Sequence, residues 1–278
     1  MLMRSLTRAY FAEIRAANCL MAAFASLIGV FVSKTALGYG VIAPASLAFL
    51  TVFLITAGGN VINDYFDVEI DRVNKPRRTL PRGLITRRSA LIYALALLLV
   101  GVAASLFLNP ICAGLAAFNA LLLVLYSWKL KRSALVGNVT VGYLTGSIFL
   151  FGGAAVYSLQ IPSVLFVSAM LAIASREVVK DIEDLAGDQR AGASTLPIRL
   201  GVSRSLATAA LFMLAAVAIS PLPFVIGVFG YPYLVIVLIA DIILLYGVVL
   251  SRSAPSMASA VMKYGMLAVL FAYVVGGI

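Results

Sequence analysis

The sequence contains no histidine, only two cysteines and only 11 acidic residues in 278 positions. The absence of histidine excludes Ser-His-Asp and Cys-His catalysis and many kinds of metal site. Cys19 and Cys112 both fall within apolar stretches and show no paired spacing, which predicts buried thiols rather than a disulfide framework or a thiolate metal site. Any chemistry must therefore use carboxylates, cations and a bound metal ion.

Charged residues make up only 12% of the chain, whereas hydrophobic residues make up 63% and the mean hydropathy is +1.06. A soluble domain of this length cannot bury so much apolar surface. A membrane-spanning helix needs about 20 mainly apolar residues. We predict an all-α polytopic membrane protein with about nine transmembrane helices, at 16–36, 43–65, 89–108, 110–127, 135–157, 162–182, 203–220, 232–250 and 260–277.

The basic residues are distributed unevenly between the predicted loops. They concentrate at the N-terminus, which carries Arg4, Arg8 and Arg15, and after the second, fourth, sixth and eighth spans, whereas the opposite loops carry only Lys34. Cytoplasmic loops of membrane proteins carry an excess of Lys and Arg. The N-terminus and the basic loops are therefore predicted to be cytoplasmic, and an odd number of spans then places the C-terminus outside.

Nine of the 11 acidic residues lie in two short stretches, 64–71 and 177–188, and both stretches contain the pattern D-x-x-D-x-x-x-D. The pattern consists of Asp64, Asp67 and Asp71 in the first stretch and of Asp181, Asp184 and Asp188 in the second, at a constant offset of 117 (181 − 64, 184 − 67, 188 − 71). Thr-Leu-Pro follows each motif, at 79–81 and 195–197. The repetition predicts two related halves, each with one acidic site.

Carboxylates at a membrane edge are costly, and clustering them is more costly still unless a cation neutralises the cluster. Spacings of three, four and seven residues return to one helical face, so each trio is predicted to project in one direction from its span. Hard oxygen ligands favour Mg²⁺, which keeps positions open for water and phosphate. We predict a magnesium-diphosphate clamp with the ligands Asn63, Asp64, Asp67, Asp71, Asp181, Asp184 and Asp188. Its central, catalytic members are Asp67, Asp71, Asp184 and Asp188.

Basic residues surround both motifs, and the guanidinium group of arginine suits phosphate oxygens. The predicted diphosphate-binding residues are Arg72, Lys75, Arg77, Arg78, Arg82, Lys180 and Arg199, and Arg190 also lies beside the second motif. Helix caps and surface ion pairs would explain one acidic motif, but they do not explain its repetition. The segments 74–76 and 80–83 break regular helix, which predicts a structured cap over the site.

These motifs resemble those of the UbiA-type prenyltransferase superfamily. The resemblance rests on Asn63-Asp64-x-x-Asp67-x-x-x-Asp71, Asp71-Arg72-x-Asn74-Lys75-Pro76 and Lys180-Asp181-x-x-Asp184-x-x-Gly187-Asp188. It implies a helical bundle around a central cavity with a lateral opening, and Mg²⁺-dependent transfer of a prenyl group from a diphosphate to a lipid-soluble acceptor. It also implies one integral-membrane prenyltransferase domain over 1–278, with halves at about 10–127 and 135–250 and a last span at about 260–277.

Within the superfamily, the segments 15–22 and 176–184 look like those of the archaeal digeranylgeranylglyceryl phosphate synthases. The family commonly has a proline directly after the arginine of the first span, whereas this sequence has Ala16 after Arg15. This branch implies transfer of a geranylgeranyl group from geranylgeranyl diphosphate to the hydroxyl of geranylgeranylglyceryl phosphate, which forms the second ether bond of archaeal membrane lipids. The implied acceptor-binding residues are Arg15, Asn18, Tyr126, Lys129 and Lys131.

Other functions remain open at this stage. A prenyltransferase with an aromatic acceptor, in quinone or haem O biosynthesis, would share every metal ligand. An ion-coupled transporter would also show internal repeats and membrane carboxylates, although carboxylates beside cationic loops favour diphosphate chemistry. A CDP-alcohol phosphotransferase would require D-x-x-D-G-x-x-A-R, which the sequence lacks. No nucleic acid or protein partner is implied, and Asp241 is predicted to make a polar contact within its own helix.

Overall fold

The structure is a computed structural model that describes residues 2–33, 39–190 and 192–278, without the side chains of 2–6, 39 and 190. Lys34 and the side chains of Arg4 and Arg190 lie outside the described residues. Within the described chain, regular structure is helical, and the single isolated β-bridge joins Ser133 to Ser194. The prediction of an all-α protein is confirmed.

Thirteen α-helices follow one another in the described chain. They are α1 (Leu2–Glu13), α2 (Ala16–Phe31), α3 (Tyr39–Asn74), α4 (Arg87–Ser105), α5 (Pro110–Trp128), α6 (Val136–Ala155), α7 (Gln160–Glu183), α8 (Leu185–Arg190), α9 (Leu196–Leu200), α10 (Val202–Ile219), α11 (Leu222–Val225), α12 (Tyr231–Leu250) and α13 (Pro255–Gly277). A 3₁₀ turn, Leu130–Arg132, lies between α5 and α6. The nine longest helices coincide in position with the nine predicted spans.

Seven helices of the described chain are long and apolar enough to cross a membrane, and an eighth span results if α1 and α2, bent by 50°, count together. The 20-residue α6 corresponds to the fifth predicted span but does not reach that hydropathy. It contains several glycines and polar residues, which pack against neighbouring helices instead of facing lipid. The multi-pass architecture is confirmed, and the count of about nine spans is approximate.

The helices α6 and α7 join two groups of packed helices. α3 packs against α2, α4 and α5, whereas α7 packs against α10 and α13, and α12 packs against α13. A Cβ atom placed on Gly146 of α6 would lie only 2.7 Å from the carbonyl oxygen of Phe166 in α7. Glycine at this position therefore permits the close approach of α6 and α7.

The helix α3 carries the whole first motif because it extends nine residues past the predicted end of its span. Its 36 residues make a helix about 54 Å long, well beyond the ~30 Å hydrocarbon core, so one end projects from the bilayer. The helix ends at Asn74, because Pro76 disfavours helical backbone at Lys75. Earlier in the chain, Arg15 has a φ of 52° and separates α1 from α2.

Candidate active site

A cavity of about 810 Å³ lies inside the bundle, between α2, α3, α5, α6, α7, α10, α12 and α13. Most of its wall is apolar, with side chains such as Ile55, Leu123 and Leu165. One part of the wall is polar and includes residues that directly precede both acidic motifs in the sequence. Its members are Arg15, Asn18, Asn60, Asn63, Tyr126, Glu177 and Lys180.

Asp64 and Asp71 of the first motif are buried and share one guanidinium group. Arg78 Nη1 donates to Asp64 Oδ1 at 2.8 Å and to Asp71 Oδ2 at 2.5 Å. Arg15 also donates to Asp64, and Lys75 Nζ lies 4.0 Å from Asp71 Oδ1. Buried carboxylates require such partners because removing a charge from water is costly. Arg78 thus holds the segment after α3 against the helix.

Asp67 points towards a different part of the chain. Its Oδ1 accepts a hydrogen bond from Lys131 Nζ, and its Oδ2 accepts one from Asn63 Nδ2 at 3.0 Å. Lys131 lies in the 3₁₀ turn between α5 and α6, and Asn63 lies one helical turn before Asp67. The carboxylates of the first motif, all on α3, therefore contact two separate loops. One is the segment after α3, and the other is the turn between α5 and α6.

The second motif has a different backbone. α7 ends at Glu183, Asp184 is its C-cap with φ −88° and ψ 2°, and Asp188 lies in α8. The prediction that all three carboxylates project from one helix is therefore wrong here, because the backbone leaves the helical conformation at Asp184. Asp181, still within α7, accepts a hydrogen bond from Asn138 Nδ2 at 2.8 Å. Burial raises the pKa of Asp188, and the nearby Asp184 carboxylate raises it further.

The two motifs meet around Lys131 and Tyr126. Lys131 binds Asp67 and also lines a small cavity of about 40 Å³ together with Asp181 of the second motif. Tyr126 lines both this small cavity and the large one, and it interacts electrostatically with Asp67 and Asp181. The structure therefore brings the two acidic motifs to one end of the bundle.

The predicted diphosphate-binding residues occupy three kinds of position. Lys180 lines the large cavity, and its Nζ lies 3.0 Å from Glu177 Oε2. Lys75 and Arg78 contact the first motif directly. The remaining four are exposed and absent from the cavity wall within the described residues: Arg72, Arg77, Arg82 and Arg199. Of these, Arg72 pairs with Glu69 and Arg199 donates to Ser194.

The predicted acceptor-binding residues are also divided. Arg15, Asn18 and Tyr126 line the large cavity. Lys129 is exposed at the end of α5 and does not line it, whereas Lys131 binds Asp67 at the edge of the site. Three of the five predicted acceptor-binding residues therefore line the large cavity, and Lys131 lies between the two motifs.

The donor chemistry of this end of the bundle fits a hard divalent cation that is shared with a phosphate ligand. Among the described residues, no group of three or more Asp, Glu, His and Cys side chains converges to form a protein-only metal cage. The two motifs instead offer carboxylate oxygens from two parts of the chain, α3 and the α7–α8 segment, and Asn63 adds an amide oxygen. Mg²⁺ commonly takes one or two carboxylates together with water and substrate phosphate, which suits this donor set.

Three polar residues at the site were not predicted to function there: Asn60, Glu177 and Asn138. Asn60 Nδ2 donates to the carbonyl of Ile14 at 2.8 Å, and both Asn60 and Glu177 line the large cavity. Asn60 and Glu177 are 117 positions apart, which is the offset of the two motifs. Extending the repeat by one helical turn towards the N-terminus would therefore have identified both residues from the sequence. Asn138 can be identified only from its contact with Asp181 in the structure.

Paired carboxylate motifs at the polar end of an apolar cavity, within a bundle of membrane-spanning helices, define an integral membrane enzyme that handles anionic lipid-like substrates. The chain belongs to the UbiA prenyltransferase family, whose sequence profile matches residues 19–273. The protein is therefore an intramembrane prenyltransferase. Family membership removes the transporter and CDP-alcohol phosphotransferase alternatives.

The curated relatives match almost the whole chain. The digeranylgeranylglyceryl phosphate synthase of Methanococcoides burtonii is 43% identical over 97% of this chain and 99% of that protein. The digeranylgeranylglyceryl phosphate synthase of Methanopyrus kandleri is 44% identical over 96% of this chain and 98% of that protein. Both relatives carry the same name.

Solved structures share the fold. A structure of a digeranylgeranylglyceryl phosphate synthase superposes with a TM-score of 0.91 at 40% identity and covers 98% of this chain and 99% of that chain. A UbiA homologue from Archaeoglobus fulgidus, bound to GPP and Mg²⁺, superposes with a TM-score of 0.70 at 17% identity, over 94% of this chain and 99% of that chain. The second similarity supports the fold alone.

Proposed function

We propose that this protein transfers a geranylgeranyl group from geranylgeranyl diphosphate to geranylgeranylglyceryl phosphate, forming the second ether bond of archaeal membrane lipids and releasing diphosphate. The observation that carries this proposal is the large apolar cavity with two acidic motifs at its polar end. The relatives at 43% and 44% identity, both named for this product, support the choice of acceptor.

The metal site of the proposed enzyme takes Mg²⁺ through Asp67, Asp71, Asp184 and Asp188, with Asn63, Asp64 and Asp181 in support. When bound, the cation supplies positive charge that stabilises the departing diphosphate. The Archaeoglobus fulgidus homologue is bound to GPP and Mg²⁺, which supports a divalent metal in this family. Arg78 contacts both Asp64 and Asp71, so we assign to Arg78 the role of fixing the position of these two carboxylates.

The chain's own cations bind the diphosphate. The position of Lys180 in the wall of the cavity supports this role. Lys75, 4.0 Å from Asp71 and half exposed, can turn towards a phosphate at the first motif. Four exposed arginines lie outside the cavity wall among the described residues, and we assign to them the role of attracting the anionic substrate as it approaches. They are Arg72, Arg77, Arg82 and Arg199.

The acceptor occupies the side of the cavity formed by α2 and α5. Arg15 and Asn18 lie at the start of α2, and Tyr126 lies near the end of α5, so cationic and hydrogen-bonding groups surround the polar end of this side. The apolar wall below them accommodates the acceptor's isoprenoid chain. The same wall excludes water from the allylic carbon as its bond to diphosphate breaks, which limits hydrolysis.

The active site faces the cytoplasm in the proposed orientation. Both acidic motifs and the basic segment after α3 lie at one end of the bundle, and an excess of Lys and Arg marks cytoplasmic segments. The N-terminus then lies in the cytoplasm and the C-terminus lies outside. The diphosphate substrate reaches the site from the aqueous phase, and the apolar chains lie within the bilayer.

Product analysis tests the proposal. Purified protein with Mg²⁺ and geranylgeranyl diphosphate is incubated with either geranylgeranylglyceryl phosphate or 4-hydroxybenzoate, and the products are identified by mass spectrometry. We expect an ether lipid that carries a second geranylgeranyl group from the first acceptor, and no comparable product from the second. Prenylated 4-hydroxybenzoate as the only product would contradict the proposal and indicate an aromatic acceptor.

A further inference from the structure

Glu13 is a buried residue that belongs to neither acidic motif. It is the last residue of α1 and is only 2% exposed. Its Oε1 accepts a hydrogen bond at 3.0 Å from the backbone N–H of Leu80, which lies 67 positions later in the segment after α3. The carboxyl group also interacts with the side chains of Thr79 and Asp64. Glu13 therefore joins the N-terminal helix both to the first motif and to the segment that follows it.

The segment after α3, residues 75–86, turns back on itself through backbone hydrogen bonds. The backbone N–H of Arg82 donates to the carbonyl oxygen of Arg78 at 3.2 Å. The backbone N–H of Gly83 donates to the carbonyl oxygen of Leu80 at 2.9 Å, and Gly83 has a φ of 69°. These turns connect Leu80 closely to Arg78, the residue that bridges two carboxylates of the first motif. The position of Leu80 therefore limits where Arg78 can lie.

Apolar packing holds α1 against the same segment. Ala9 and Ile14, one before and one after Glu13, are buried in one cluster with Leu80 and Ile85. A backbone N–H that is buried among apolar side chains costs free energy unless it has an acceptor. Glu13 supplies that acceptor for Leu80.

The turn between α1 and α2 also contacts the first motif directly. Arg15, two positions after Glu13, donates to Asp64, and Glu13 interacts with the same carboxylate. Arg78 of the segment after α3 donates to Asp64 as well. Asp64 thus has partners from both pieces of chain, and Glu13 contacts both pieces.

We propose that Glu13 is a positioning residue for the diphosphate site: it holds the segment after α3 in place so that Arg78 reaches the first motif. Without Glu13, the buried N–H of Leu80 loses its acceptor and the segment leaves α3 more often. The carboxylates that Arg78 holds then take other positions, and losing such an outer partner of metal-binding groups lowers metal affinity or activity by about 10- to 100-fold. The inference rests on the proposed function only in taking Mg²⁺ and a prenyl diphosphate as the ligands.

Limited proteolysis of the full chain in detergent, without metal or substrate, tests the contact. Arg82 and Lys129 are exposed and lie in different loops, so trypsin cleavage after Arg82 reports on the segment and cleavage after Lys129 reports on general loosening. Glu13→Leu should speed cleavage after Arg82 by about tenfold relative to cleavage after Lys129, because the open form of the segment becomes more populated. Glu13→Gln keeps an oxygen acceptor for Leu80 and should be cleaved like the wild type.

Donor binding measures the consequence for the site. The dissociation constant of geranylgeranyl thiolodiphosphate at fixed Mg²⁺ should rise about tenfold in Glu13→Leu and stay within about twofold of the wild type in Glu13→Gln. Glu69→Leu is the matched control, because it removes an exposed carboxylate of α3 and should change neither measurement. Combining Glu13→Leu with Arg78→Leu should lower the affinity no further than Arg78→Leu alone, because both changes break the same chain of contacts.

Three results would overturn the inference: an unchanged cleavage ratio in Glu13→Leu, equal losses in Glu13→Leu and Glu13→Gln, or losses that add in the double variant. Glu13→Ala leaves room for water at the Leu80 N–H and replaces Glu13→Leu if the latter does not fold; the same faster cleavage after Arg82 is expected. Neither measurement uses an acceptor. Failure to form an ether lipid would therefore contradict the proposed function and leave the role of Glu13 to these two measurements.

Discussion

The ammonium group of Lys131 donates a hydrogen bond to the carboxylate of Asp67, although the two residues are 64 positions apart. Their side chains are only 15% and 18% exposed. The bond fastens the turn between α5 and α6 to the first acidic motif, and the same lysine lines the small cavity that contains Asp181. Lys131 thus connects the two motifs, although the sequence placed it with the acceptor.

Replacing Lys131 with methionine should lower kcat/KM by about 10- to 100-fold, because a hydrogen bond between charged groups contributes about 1.5–3 kcal/mol. Lys129→Met is the matched control: Lys129 is exposed two positions away, so its activity should stay within about twofold of the wild type. Steady-state kinetics with purified protein would measure both. Equal losses in the two variants would show that charge near the loop matters and that the contact with Asp67 does not.

Arg78→Leu should destabilise the protein, because it leaves the buried carboxylates of Asp64 and Asp71 without their shared partner. Breaking a buried charge pair by removing one member costs about 3 kcal/mol. The neighbouring Arg77 is exposed, and Arg77→Leu should leave the unfolding temperature nearly unchanged. Thermal unfolding in detergent compares the variants, and identical midpoints would contradict the bridging role of Arg78.

Removing divalent cations should abolish turnover. Treatment of the purified enzyme with EDTA is expected to stop diphosphate release, and excess Mg²⁺ should restore it, because the carboxylate motifs need a cation to hold an anionic diphosphate. A monovalent salt at equal ionic strength provides the control. Full activity in EDTA would mean that the side-chain cations alone neutralise the leaving group.

The proposed orientation predicts which surface positions react from outside the cell. Lys75 and Tyr157 are both exposed and lie at opposite ends of the bundle, after α3 and after α6. The native Cys19 and Cys112 are buried and should react slowly. In intact cells, a membrane-impermeant maleimide should label Tyr157→Cys and not Lys75→Cys. The opposite pattern would reverse the assigned topology.

Much of the architecture could be predicted because apolar run length is a local property of the sequence. The nine apolar runs coincide with nine helices, and the repeated aspartates indicated where the site lies. Contacts between segments that are distant in the sequence could not be predicted in this way, because they depend on the tertiary fold. The bridge from Arg78 to Asp64 and Asp71 requires the fold of the segment after α3. The bond from Ser220 to Asp241 joins the residue that follows α10 to the middle of α12, 21 positions later, so the predicted contact of Asp241 within its own helix is wrong.

The position of individual cations also depends on tertiary structure. Seven basic residues near the motifs looked equivalent for binding diphosphate, yet only Lys180 among them lines the large cavity. The end of α7 at Glu183 was not predicted for a related reason. The spacing of the aspartates alone predicted the same continuous helix for the second motif as for the first. The repeat predicted the residue types of the second motif and did not predict its backbone.

The measurement that tests the central claim most directly is the rate of ether-lipid formation by variants of each acidic motif. Asp67→Ala and Asp184→Ala should each abolish product formation while the protein stays folded and extractable. Glu69→Ala and Glu183→Ala, which remove exposed carboxylates beside the same motifs, should retain near-normal rates. Near-normal product formation by Asp67→Ala or Asp184→Ala would contradict the account of a diphosphate held between the two motifs.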